Sequence, residues 1–258
     1  MTQRSGLLAV LATVLLVLSF ATHVPAPPRA IPVSDDRSVP HASSRVSLGP
    51  TDPTGPISAV TVSTTVCARG RVATLVDAGH VDEAIMLLET VLAANSNDAE
   101  AHHELAQIFV TLDRSEDSIR HYEHALATAP SRSDYHVELG RALAGLGRWD
   151  RAIGEYQVAA EGAPTDVSIH YWLGRVLHES GQDEKAIEAY QTAISLDPSA
   201  SSPHLSLGVS YEGLREWNDA VAAYGQYLDL APASPTTSAL KWHVVAILEN
   251  QERARAGG

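Results

Sequence analysis

Four prolines, Pro130, Pro164, Pro198 and Pro232, stand 34 residues apart, and the residues between them recur in the same register. Tyr122, Tyr156, Tyr190 and Tyr224 each precede one of these prolines by the same interval, and Ala152, Ala186 and Ala220 lie ahead of the last three tyrosines. Further upstream comes a turn signal, Gly147 and Gly181, with Asp113 and Arg215 in the equivalent slots. Before it lie Leu105, Leu139, Leu173 and Leu207, the last three followed by Gly140, Gly174 and Gly208. A chain with this period folds as a stack of like units, because one short unit alone cannot bury its apolar face.

Within each unit the spacing is helical. Leu173 and Leu177 are four apart, as are Ala186 and Tyr190, and Ala193 follows three further on. The pattern predicts a helix, a short turn and a second helix stopped by the proline. Small residues such as Gly174 and Ala186 let two backbones approach, and the tyrosine fills the space beyond them. Hydrophobic residues make up 45% of the chain, and Ala and Leu recur while Phe occurs only at positions 20 and 109, which suits packed helices better than a sheet core.

The period, the small residues at positions 8 and 20, the aromatic at 24 and the proline at 32 resemble the tetratricopeptide repeat. The units are 99–132, 133–166, 167–200 and 201–234. A divergent first unit, 65–98, keeps Gly79, Ala84 and Leu92 but has Ser96 where the proline belongs. The stretch 235–255, with Trp242, Val245 and Leu248 on one stripe, resembles the closing helix of such arrays. The resemblance implies an all-α fold: a right-handed α-solenoid of about five helix-turn-helix repeats plus a C-terminal capping helix. In the family, positions 2, 5, 9 and 12 of each first helix line a concave groove. Here they are Glu100, His103, Gln107 and Val110, then Asp134, Val137, Arg141 and Ala144. Ser168, Tyr171, Arg175 and His178 follow, and then Ser202, Leu205, Val209 and Glu212. Arg141 and Arg175 share position nine in adjacent units, and an arginine can grip a carboxylate with two hydrogen bonds. An extended peptide with an acidic group or a free C-terminus is one expected ligand; local pairing of both arginines with Asp134, Glu138 or neighbours is the alternative. The Lys/Asn carboxylate clamp of chaperone-binding members is missing, since position five holds His, Val, Tyr and Leu.

The amino terminus reads as a targeting element. Arg4 precedes an uncharged apolar run from Leu7 to Phe20, and Ser19-Phe20-Ala21 offers a cleavage site after Ala21. Stretched over residues 6–24, the segment also reaches the roughly 17–25 residues of a spanning anchor, so a membrane tether stays open beside cleavage. Residues 25–64 form a Pro/Ser-rich linker, with eight prolines from Pro25 to Pro56, and residues 65–258 form the repeat domain. The expected location is extracytoplasmic, periplasmic or secreted.

The formal net charge is −13, and residues 65–258 carry 14 Lys and Arg against 28 Asp and Glu. Such a surface repels phosphates, which argues against nucleic-acid binding. One cysteine, Cys67, excludes an intramolecular disulfide. No phosphate loop, nucleophile elbow or nucleophile context accompanies it, so neither catalysis nor a cofactor is expected. Position four is histidine in every full unit: His102, His136, His170 and His204. Packed helices lie about 8–10 Å apart, too far for successive histidines to share one ion with bonds of about 2 Å, so these are expected to be hydrogen-bonded fillers and no metal is expected. His121 and His124, three apart with Glu116 and Glu123 nearby, could hold a stray divalent ion; a solvated face is the plainer reading.

These observations point to a non-catalytic scaffold that binds a protein or extended peptide in the groove. Two alternatives stay open: a self-associating structural protein, through Cys67 or the Trp242 helix, and a docking subunit of an envelope enzyme complex.

Overall fold

The computed structural model describes residues 70–256, all of them in helices or the turns between them. The targeting segment, the linker and Cys67 lie outside these residues. The first helix, α1, covers residues 70–77. It is followed by α2 (Val81–Ala94), α3 (Ala99–Thr111), α4 (Ser115–Thr128), α5 (Ser133–Gly145) and α6 (Trp149–Gly162). Then come α7 (Val167–Glu179), α8 (Asp183–Leu196), α9 (Ser201–Gly213), α10 (Trp217–Leu230) and α11 (Pro235–Ala256). From α2 onward each helix packs on its neighbours in the chain, which makes an all-α solenoid. No described helix is long and apolar enough to cross a membrane.

The turn inside each pair is built identically. Gly79, Asp113, Gly147, Gly181 and Arg215 all adopt positive φ, between 57° and 80°. At each of these turns the next residue donates its N–H to a carbonyl five residues back. The bonds are His80 to Leu75, Arg114 to Phe109, Arg148 to Leu143, Gln182 to Leu177 and Glu216 to Tyr211, all 2.8–3.0 Å. This left-handed cap satisfies the last carbonyls of the first helix and turns the chain back. Glycine takes that conformation freely, whereas Asp113 and Arg215 take it at a cost of about 1 kcal/mol. The second helices end two residues ahead of Pro130, Pro164, Pro198 and Pro232, because the residue before a proline is pushed out of helical geometry.

The core follows from the small-residue and tyrosine positions. Tyr122, Tyr156, Tyr190 and Tyr224 are all buried, as are Ala125, Ala159 and Ala193 one turn beyond the first three. A Cβ added at Gly174 would lie 2.6 Å from Cε1 of Tyr190, and one at Gly208 2.5 Å from Cδ1 of Tyr224, so glycine is what lets these helices close on the ring. The closing helix packs through Leu240, Val244 and Ile247 against Leu205, Val209 and Tyr224. Trp242, Val245 and Leu248 lie on its other side and are exposed, Trp242 by 74%. The stripe read in the sequence is therefore not the packing side of α11.

Candidate functional site

The sixteen positions singled out on α3, α5, α7 and α9 differ in what surrounds them. Glu100, Gln107, Val110, Asp134, Ser168 and Ser202 are exposed, while the other ten are half-buried. At the amino-terminal end the His103 ring stacks on Tyr135, centroids 4.4 Å apart, and burial lowers its pKa. Asp134 is taken by Arg132, whose guanidinium donates to both carboxylate oxygens at 2.9 and 2.7 Å.

The middle of the array brings the two position-nine arginines to one aromatic ring. Arg141 lies 5.5 Å and Arg175 4.9 Å from the centroid of Trp172, and Tyr171 meets the same indole edge-on at 5.4 Å. Arg141 also donates to Glu138 at 3.3 Å, while its Nε is buried with no hydrogen-bond partner among the described residues. Arg175 has no ion pair among the described residues. Local pairing thus accounts for part of Arg141 and none of Arg175. Trp172 escaped the sequence reading because position six is not one of the groove positions; its indole reaches them through its size.

At the carboxy-terminal end the same positions are engaged by the chain itself. Leu205 and Val209 pack under α11, and Glu212 accepts hydrogen bonds from Tyr224 Oη at 2.8 Å and His243 Nε2 at 2.9 Å. Burial raises the Glu212 pKa, but the bonds from His243 and Tyr224 outweigh it and the net shift is downward. Nδ1 of His178 meets Asp183 at 2.5 Å and lies 3.3 Å from Ser210 Oγ.

The histidine column has a common hydrogen bond. Nε2 of His102, His136 and His170 meets the carbonyl of residues 96, 130 and 164 at 2.9–3.1 Å, which ties each first helix to the end of the preceding unit. Nδ1 of His102 faces Nδ1 of His121 at 2.9 Å, and Nδ1 of His136 faces Glu155 at 2.7 Å. Glu116 and Glu123, considered above as neighbours of an ion at His121 and His124, instead pair with Arg148 and Arg151 of the next unit.

Among solved structures the chain is similar to "Crystal structure of MamA", at 26% identity and TM-score 0.59, over 61% of this chain and 92% of that one. "MamA 41-end from Desulfovibrio magneticus RS-1" matches at 22% identity and TM-score 0.60, over 64% and 93%. YrrB, described as a TPR protein with an unusual peptide-binding site, matches at 19% and 0.60, over 66% and 88%; at these last two identities the likeness concerns the fold alone. No curated protein matches the chain by sequence. The Tetratricopeptide repeat family matches residues 71–133, 103–167 and 137–201, and again 205–234. With more than half of its length matched, the chain belongs to the tetratricopeptide repeat family.

Proposed function

We propose that this protein is a non-catalytic scaffold that holds an extended, acidic segment of a partner protein along the first helices of units 133–166 and 167–200. The observation that carries this reading is the convergence of Arg141 and Arg175 on Trp172, with Arg175 lacking a carboxylate partner, in a domain with twice as many acids as bases. A guanidinium without a carboxylate, beside an aromatic surface, suits an acidic group flanked by apolar side chains. Residues 1–24 are proposed to export or tether the scaffold, so that it works outside the cytoplasm. The exposed Trp242, Val245 and Leu248 favour a second reading, self-association through the closing helix.

The test is cross-linking of the tagged full chain in its native cells, beside a Tyr171→Ala, Arg141→Glu, Arg175→Glu variant. Loss of a partner in the variant supports the reading. Unchanged partners overturn it, and a cross-linked second copy that disappears with Trp242→Ser supports self-association instead.

A further inference from the structure

Position 23 faces the position-four histidine across the helix pair in units 99–132 and 133–166, and its size varies along the array. It is His121 in unit 99–132 and Glu155 in unit 133–166, each in contact with its histidine. In the next two units it shrinks to Ala189 and Ala223. Beside His204 and Ala223 the space stays open as a solvent-open cavity of about 410 Å³ between α8, α9 and α10. That volume lies in the range of about 300–1,000 Å³ typical of ligand pockets. His204 is only 8% exposed, yet it makes no hydrogen bond to a described residue, unlike the other three histidines of its column. Asp219 lines the same cavity and has no ion pair among the described residues.

The walls are mostly apolar through Ile194, Leu207 and Ala223, with Gln191, Ser195 and Gln226 adding uncharged polar groups, and no Lys or Arg is among the lining residues. Tyr211 adds an aromatic surface. An aliphatic stem ending in a planar cation matches this arrangement: the stem covers the apolar wall, and the head stacks on the ring and pairs with Asp219. The net charge of −13 draws cationic groups toward the surface. We propose that this cavity receives an arginine side chain projecting from a partner protein. Positions 204, 207 and 211 lie on the side of α9 away from 205, 209 and 212, so this site is separate from the one proposed above.

The experiment is an NMR titration of the isotopically labelled full chain with N-acetyl-arginine amide, N-acetyl-norleucine amide and N-acetyl-glutamate amide. The expected result is a saturable shift of the His204 ring and Ala223 amide signals with the arginine probe, at least several-fold weaker binding of norleucine and none of glutamate. Asp219 is exposed, so Asp219→Asn weakens arginine binding only about two- to fivefold, the worth of one solvent-exposed ion pair. Ala223→Gln, which supplies a side chain the size of Glu155, removes it. No saturable shift, equal binding of norleucine, or arginine binding unchanged in Ala223→Gln overturns the proposal. The Tyr171→Ala, Arg141→Glu, Arg175→Glu variant keeps the arginine response, so failure of the groove reading is distinguishable from failure of this one.

Discussion

The two ends of the array carry half-buried histidines of opposite electrostatic character, at different repeat positions. In unit 99–132, His102 and His121 face one another and His124 stacks on His102, centroids 5.0 Å apart. Burial, then the neighbouring His102, Arg120 and His124, with Asp117 opposing, lowers the His121 pKa to about 4. In unit 201–234, Glu212 meets His243 of the closing helix, and that hydrogen bond raises the His243 pKa against burial. The tyrosines differ likewise: Tyr224 donates to Glu212, while the buried Tyr122 hydroxyl has no partner among the described residues. One array therefore carries a cluster that resists protons at one end and a pair that holds one at the other.

The largest effect is expected from Gly208→Ala, which drives a Cβ into Tyr224 and disturbs its bond to Glu212; overpacking of this kind costs about 1–3 kcal/mol, of which the better helix propensity of alanine returns about 1. Ala106→Gly, at the same position of the other end, costs about 1 kcal/mol through helix propensity. Denaturant midpoints check both, and equal losses would remove the contrast.

Acid comes next. A free imidazole titrates near 6.5, and the folded His121 only near 4, so the unfolded chain takes up the proton first. Stability present above 6.5 is therefore lost progressively as pH falls toward about 4. With screening of the half-exposed ring allowed for, the loss is about 1–2 kcal/mol. His121→Glu, which copies the His136–Glu155 arrangement, should flatten this dependence in chemical unfolding followed from pH 7 to 4.

The Glu212–His243 pair has the opposite sign on its histidine side. Its stabilisation is present below 6.5 and fades as pH rises through the raised His243 value, while the Glu212 side is present above 4.5 and fades as pH falls through its lowered value. Glu212→Gln should speed hydrogen exchange in α11 by several-fold at pH 6 and leave α3 and α4 unchanged. The smallest effects separate the two tyrosines: Tyr224→Phe costs about 1 kcal/mol and Tyr122→Phe about zero, because only the first loses a hydrogen bond. Equal costs in thermal unfolding would erase the distinction between the ends.

Much of this molecule was legible because its signals are local. Helix spacing, the left-handed turn residues, the stopping prolines and the glycines opposite tyrosine each act within one unit, and repetition made them readable. The sequence by itself determined the helix pairs, their period and the buried tyrosine column. Only the tertiary structure decided what the side chains meet across helices and units. It brought Trp172 to Arg141 and Arg175, closed Glu212 with His243, turned Trp242 outward and left a cavity where Ala223 is too short to reach His204. Most of those outcomes depend on the size and reach of residues some 19 to 31 positions apart, which no local spacing specifies.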